Sequence, residues 1–533
     1  EGLAGPDGPP LTHHRIIVYG SLINILVCRM DSIVSVFGSY VDWDVKSLLL
    51  FTAVFILTAD YFKNRRSGSF PPGPRALPIV GNIFTVDYKR THESMTQDCL
   101  CYLLAERYGD VYSLRMGQVW MVVLNRLKVL KEGLVTQGDS LADRPDLPLL
   151  LDITHGQGLI FSSGNTWKQQ RRFALSTLKY FGFGKKSLEP IILDEFTHCA
   201  KDFNSKPFNP HLTINNVVSN IICSLVFGHR FEYGDEKFMK LITWFDKGLK
   251  IEGSIWLYNS FPWLMRRLPG PHQTVQHIWD DVKDFIRVEI KEHKQNWDPS
   301  DQRDYIDCYL NEIQMVALIS LYSDNTFDEE NLVICVLDLF VAGSETTSTT
   351  LRWAFLYMAK YPEIQAKVQT EIDKVIGQSR QPSMDDRTNL PYIDAVLHEI
   401  QRMGNIVPLS LSHVTNKEIQ LGGYTIPKGV IIIPNLTSVL FDKNEWETPN
   451  TFNPGHFLNE EGKFVKPAAF IPFSAGKRVC LGENLAKMEL FLFFTSFMQH
   501  FTFSMPAGVK PVMDFEFGVT LGPLDYEICI TSR

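Results

Sequence analysis

Phe473-Ser-Ala-Gly-Lys-Arg-Val-Cys-Leu-Gly482 is the stretch on which the reading of this chain turns. It sets Cys480 between Gly476 and Gly482, with Lys477 and Arg478 just before it. Behind it, residues 483–494 read as a helix, with apolar Leu485, Met488, Leu490 and Leu492 among helix formers. Cys480 therefore stands on a glycine loop that opens onto a helix N-terminus. Glycine lets a backbone turn tightly and approach a flat ligand closely, and a helix N-terminus with nearby cations favours a thiolate. A thiolate held this way serves as a nucleophile or a metal ligand. A nucleophile would want a histidine base, and none lies nearby in sequence. A buried structural cysteine on a turn is the alternative for the cysteine taken alone.

The chain has 533 residues, 45% of them hydrophobic and 21% charged, which is ordinary for a globular protein. A net charge of −8 gives no reason to expect nucleic acid. Nine cysteines without a Cys-x-x-Cys pair argue against a disulfide framework and for reduced thiols. No repeat or low-complexity tract is visible.

From the start, residues 1–29 precede the first methionine, Met30, and are expected to be a non-native leader or gene-model extension, with a second amphipathic segment as the alternative. Residues 47–59 are apolar, flanked by Lys46 and by Trp43, Tyr61 and Phe62, which suit a membrane interface. Lys63, Arg65 and Arg66 come next with no small-residue cleavage site, so residues 30–66 read as a retained anchor whose basic flank places the domain after it on the cytoplasmic side. Pro71-Pro-Gly-Pro74 and Pro78 cannot be helical, and residues 67–81 read as a stiff hinge. Residues 112–124 have the alternation of a hairpin turning at Met116-Gly117. Most of the remainder, to 533, is helical in pattern, and the longest apolar helical run is 331–360. Ala342-Gly-Ser-Glu-Thr-Thr347 interrupts that run with a glycine, which costs about 1 kcal/mol mid-helix, and with polar groups that are costly to bury. A bent helix with locally bonded threonines explains this equally well on residues alone.

The full spacing Phe-x-x-Gly-x-Arg-x-Cys-x-Gly at 473–482 resembles the haem-binding loop of the cytochrome P-450 superfamily. The likeness covers about residues 30–533 and keeps the order of the proline hinge, Trp167-x-x-x-Arg171, the central helix, Glu399-x-x-Arg402 and the cysteine loop. It is nearest to the microsomal family-two enzymes, through segments such as Ile214-Asn-Asn-Val-Val-Ser-Asn and Pro269-Gly-Pro-His-Gln-Thr274, which look like the J-type fatty-acid epoxygenases and their fish relatives.

The resemblance implies a mainly α fold with a small β region, residues 82–533 forming a haem-thiolate catalytic domain. The cofactor would be haem b, iron protoporphyrin IX, with the Cys480 thiolate as axial ligand. Arg144, Trp167, Arg171, His413 and Arg478 would bind it, several of them at its propionates. Residues 147–153 would line the substrate pocket, with Leu150, Phe340, Val407 and Leu521 as apolar candidates. Thr346 and Glu345 would hold the water chain that delivers protons, the break at Gly343 opening a groove for O2. The activity implied is monooxygenation, by hydroxylation or epoxidation, of lipophilic compounds: polyunsaturated fatty acids such as arachidonic acid, and xenobiotics. No Gly-x-Gly-x-x-Gly dinucleotide motif is present, and Phe181-Gly-Phe-Gly-Lys-Lys186 does not fit one. Electrons would come from an NADPH-dependent flavoprotein reductase and, in many members, cytochrome b5, docked on basic residues such as Lys168, Arg172, Lys185 and Lys186. The location implied is the endoplasmic reticulum membrane, with the catalytic domain in the cytosol. A haem-thiolate isomerase of lipid peroxides and a non-catalytic haem binder are the alternatives, and NADPH consumption with reductase and lipid separates them. Two features depart from relatives: His456 stands where many have the arginine that completes the Glu399–Arg402 network, and residues 314–323 are apolar where they carry a polar loop.

Overall fold

The computed structural model describes residues 45–85, 101–182, 185–202, 206–252, 256–319 and 325–533. The expected leader, the first part of the expected anchor and the second half of the apolar segment 314–323 lie outside them. Helix α1 (Val45–Lys63) belongs to one compact unit, which ends at Ser67, and Gly68–Arg533 form another. The 19 residues of α1 span about 28 Å at 1.5 Å per residue, close to the hydrocarbon thickness of a bilayer. The helix is thus longer than its apolar run, and it is long and apolar enough to cross a membrane.

In the larger unit the proline stretch is tied to the first strand. Ser113 donates from its backbone N–H to Pro72 O and from its hydroxyl to Pro71 O, both at 2.7 Å. Gly73 fits because a Cβ there would overlap the carbonyl oxygen of Ser113. Next in the chain is the hairpin: β1 (Val111–Met116) pairs antiparallel with β2 (Val119–Leu124), Met116 opposite Val119, and Gly117 turns the corner at φ +60°.

The helices come next: α2 (Pro148–Thr154), α3 (Gly164–Tyr180), α4 (His211–Val226), α5 (Glu236–Glu252), α6 (Pro271–Gln295), α7 (Tyr305–Ile319), α8 (Glu329–Lys360) and α9 (Pro391–Gly404). Two short strands, β3 (His413–Val414) and β4 (Ile431–Pro434), complete a sheet of order β1–β2–β4–β3, in which β2 and β4 run parallel. Helix α10 (Glu483–His500) closes the core behind the cysteine loop. The first half of the apolar segment 314–323 continues α7, with Met315 and Leu318 exposed.

Helix α8 is the centre of this arrangement, packed against α4, α6, α9 and α10. Its Asp328 cap accepts from the N–H of Asn331 at 2.8 Å. Contrary to the expected interruption, the helix runs unbroken through residues 342–347. Thr346 and Thr350 return their hydroxyls to the carbonyls of Ala342 and Thr346, each at 2.8 Å, so the polar side chains satisfy themselves locally without breaking the ladder. Gly343 is instead required by packing, since a Cβ would overlap the Ile222 side chain on α4.

The Glu399–Arg402 pair is fully buried and bidentate, at 2.7 and 2.8 Å. Arg402 also donates to the carbonyls of Leu440, Pro449 and Thr451. His456 completes the network: Nδ1 lies 3.3 Å from Glu399, while Nε2 accepts the Thr448 N–H at 3.2 Å. That pattern selects the tautomer protonated at Nδ1, so histidine does the arginine's hydrogen bonding without needing its charge. Arg402→Ala would leave Glu399 buried and uncompensated, and we expect thermal unfolding to report a loss of about 3–5 kcal/mol.

Candidate active site

The cysteine loop is built by constraint. Ala475 is extended, Gly476 turns at φ +78°, and a Cβ there would overlap the carbonyl oxygen of Leu134. Cys480 N–H then donates to Phe473 O at 3.1 Å, and Gly482 caps α10. The Cys480 side chain is accessible, yet it stands in a desolvated setting, because what it faces is an internal cavity of about 360 Å³. The cysteine loop and the start of α10 form one wall of the cavity, and the middle of α8 forms another. Burial pushes the Cys480 thiol up, while the N–H groups of Gly482 and Glu483 and the Arg171 charge pull it down without winning. The expected bias toward thiolate is therefore present but outweighed by desolvation. A cationic metal centre would supply the missing stabilisation.

Three guanidinium groups line the same cavity: Arg144, Arg171 and Arg478. Arg144 donates to the carbonyls of Ile160, Leu411 and Ser412 at 2.8–3.2 Å. Arg478 donates to Ala142 O at 2.7 Å and to Ile160 O at 3.2 Å, and its guanidinium lies 4.0 Å over the Trp167 ring. Arg171 is bonded through Nη2 to Val479 O at 2.6 Å. Burial and mutual repulsion push Arg144 down to about 9 and Arg478 to about 8, and burial lowers Arg171. Cations brought together at that cost call for an anionic ligand with more than one charge. Trp167 does not line the cavity. It carries Arg478 on its face, with its own Nε1 buried and unpartnered. His413 is likewise not among the lining residues: it is buried beside Arg144, its Nδ1 is 2.6 Å from Leu141 O, and burial and the Arg144 charge push it down to about 3.

On α8, Glu345, Thr346 and Thr350 line the cavity opposite the cysteine loop. Glu345 is half-buried, its Oε1 accepting from Thr520 at 2.6 Å and Thr349 at 3.1 Å, and desolvation raises it against the Thr520 bond and the Arg352 charge. Leu150, Ile153, Ile406 and Val407 supply apolar wall, as expected for Leu150 and Val407. Phe340 and Leu521 do not: Phe340 packs on Phe245 beside a second, small cavity, and Leu521 lies buried with its N–H on Ile406 O, leaving Val519 and Thr520 at the wall.

Two acids at this cavity went unread in the sequence. Asp338 on α8 accepts the N–H groups of Leu159 and Ile160 at 2.6 and 2.9 Å, holding the loop that carries the Arg144 and Arg478 carbonyl partners, and burial pushes it up to about 7. Glu489 on α10 is buried with both oxygens lacking a hydrogen bond; burial pushes it up to about 8, and the Thr347 hydroxyl is near enough only to temper the shift. A lone acid in an otherwise apolar helical run was the available signal for each.

A family model described as Cytochrome P450 matches residues 71–530. Among curated proteins the chain is 48% identical to cytochrome P450 2J2 of Homo sapiens, over 92% of this chain and 96% of that one. It is 46% identical to cytochrome P450 2J1 of Oryctolagus cuniculus, over 95% and 100%, and 46% identical to cytochrome P450 2J3 of Rattus norvegicus, over 92% and 96%. The cavity fits the haem of such proteins: a sulfur ligand on one wall and three arginines whose guanidiniums bond to backbone carbonyls and not to the acids that share the cavity, which suit two propionates. From this electrostatics, Arg171→Met should change the stability of the haem-free chain by less than about 1 kcal/mol, one hydrogen bond being lost against relieved repulsion. The same change should speed haem loss from the loaded chain. Thermal unfolding of both forms and the haem dissociation rate check the pair of expectations.

Proposed function

The chain belongs to the cytochrome P450 family, and from that premise we propose that it is a membrane-anchored monooxygenase of lipophilic substrates, polyunsaturated fatty acids foremost, fed by an NADPH-dependent flavoprotein reductase. Monooxygenase activity and a haem with a cysteine thiolate axial ligand come with the family. The bound haem supplies O2 activation and delivers one oxygen atom to a C–H or C=C bond. The observation that carries the residue-level reading is the meeting, in one cavity, of the Cys480 thiol, three arginines and the Glu345–Thr346 pair.

In this reading Cys480 Sγ would hold the haem iron. Arg144, Arg171 and Arg478 neutralise the propionates. Trp167 fixes the Arg478 guanidinium through its ring face, and His413 buttresses Arg144 from behind. The apolar wall of Leu150, Ile153, Ile406 and Val407 binds hydrocarbon and excludes bulk water. Thr346 Oγ1 donates to Ala342 O, which leaves its lone pairs free to hold a water in the cavity. Glu345, whose carboxyl burial raises, is the acid that resupplies that water. An acid–alcohol pair serves a reaction that consumes protons, which an isomerase of lipid peroxides does not need.

Redox partners and lipophilic substrates are general to the family. Lys168 and Arg172 are exposed on α3, whose other face carries Trp167, and suit an acidic donor that must approach the cysteine side. Helix α1, with Lys63, Arg65 and Arg66 after it, supports an endoplasmic reticulum anchor with the larger unit in the cytosol.

Cys480→His should abolish the red-shifted Soret band of the reduced, CO-treated protein that thiolate ligation gives in this family; retention of the band would remove Cys480 from the role. Thr346→Ala should keep reductase-driven NADPH oxidation while diverting it from product to H2O2. The drop in product per NADPH should be smaller than the roughly 10²–10⁴-fold of a lost general acid, since water substitutes in part.

A further inference from the structure

Glu345 must regain each proton it gives up, and it is half-buried, lining two internal cavities. The structure assigns a route: we propose that Asp525, His211, Asp246 and a water held between α4, α5 and α8 form a relay that carries protons from solvent to Glu345. This rests on the reading that Glu345 and Thr346 deliver protons.

The first observation is a small cavity of about 10 Å³, lined by Asn215 and Ser219 of α4, Asp246 of α5, and Ser344 and Glu345 of α8. That is room for one water. Asn215 Oδ1, Ser219 Oγ and Ser344 Oγ are buried without a hydrogen-bond partner. These residues are 7%, 1% and 8% exposed. Three orphaned polar atoms around a water-sized space are the condition under which a buried water is retained. Among the described residues, Glu345 is the titratable group that lines both this cavity and the large one.

The second observation is the exit from the small cavity. Asp246 lies 3.1 Å from His211 Nε2, and His211 Nδ1 lies 3.4 Å from Asp525. Side-chain exposure rises along this series from 8% for His211 to 58% for Asp525, and Asp246, at 25%, is the member that reaches the cavity. An imidazole with a carboxylate at each nitrogen takes a proton on one side while releasing one on the other. Burial alone would raise Asp246, but the hydrogen bond and charge of His211 and the charge of Lys250 outweigh it and hold the carboxyl low, so it does not retain a proton but hands it on. The other charges facing the route are Lys250, 3.4 Å from Asp246 and 3.2 Å from Glu516, and Arg352, 3.6 Å from Asp525.

The proton balance is simple. A solvent proton reaches His211 Nδ1 by way of Asp525, the Nε2 proton passes to Asp246, Asp246 protonates the cavity water, and the water gives a different proton to Glu345. No electrons move, and rotation of the His211 ring returns it to its starting tautomer.

The test uses the full chain in its haem-loaded form. The carboxyl stretch of protonated Glu345, assigned by its disappearance in Glu345→Gln, is followed by infrared spectroscopy after transfer to D2O. In Asp246→Asn and in Ser219→Val, which fills the water space without touching a charge, deuterium exchange of that band should slow by about tenfold or more, a lower bound on what a positioned proton donor contributes. Product per NADPH should fall, H2O2 should rise, and the solvent isotope effect on product formation should increase. Unchanged exchange and coupling in both variants would overturn the relay. If Thr346→Ala uncouples turnover while these two do not, the relay is wrong and the acid–alcohol reading stands; if Thr346→Ala does not uncouple either, that reading falls with it.

Discussion

Three arginines that repel one another, two of them buried and Arg171 half-buried, set the terms for this structure. Arg144, Arg171 and Arg478 come from a loop, from α3 and from the cysteine loop, and each is depressed by burial. A protein retains such a group only where a ligand repays the desolvation. The carbonyls of Ile160, Leu411, Ser412, Ala142 and Val479 hold the guanidiniums in place, so the repulsion is stored in fixed geometry and not relaxed by swinging outward. Asp338 pins the 159–160 segment on which two of them depend, which ties the anion site to the middle of the central helix. The thiol of Cys480 sits under the same rule with the opposite sign: burial disfavours its charged form until a metal cation faces it. Haem carries both remedies in one molecule, two carboxylates at its edge and a cation at its centre.

The central helix meets a second constraint, which is to present acid and hydroxyl to a largely apolar cavity without breaking. It does so by returning threonine hydroxyls to its own carbonyls and by tying Glu345 to Thr520 and Thr349. Gly343 then serves the approach of α4, where Ile222 occupies the space a Cβ would need. On the same pair of helices Asn215 and Ser219 stand against Ser344 and Glu345 around the small cavity.

What was legible in the sequence was local. The cysteine loop could be read because Gly476 must turn where Leu134 leaves no room, and the hairpin because Gly117 must take a positive φ. The Glu399–Arg402 pair was legible as an i,i+3 spacing, although its carbonyl partners near 440–451 were not, and the adequacy of His456 became clear only once Thr448 was seen to choose its tautomer. Arg144, Arg171 and Arg478 were named through the resemblance, and their meeting in the cavity that Cys480 lines was not legible from spacing, since their partners lie up to about 336 residues away. For the same reason Asp338 and Glu489 passed as helix residues, and Phe340 and Leu521 were expected at a wall from which a one-residue change of facing removes them. The supposed break at 342–347 was a propensity argument, and self-satisfied threonines overrode it.

The central claim is that charge at the arginine cluster, as much as the sulfur bond, holds the cofactor. The most direct measurement is to titrate the haem-free chain with iron protoporphyrin IX and with its dimethyl ester, which keeps the iron and the ring and removes both carboxylate charges. The account predicts that the ester binds at least tenfold more weakly, and that Arg171→Met erases much of that difference. Equal affinity for the acid and the ester would contradict it.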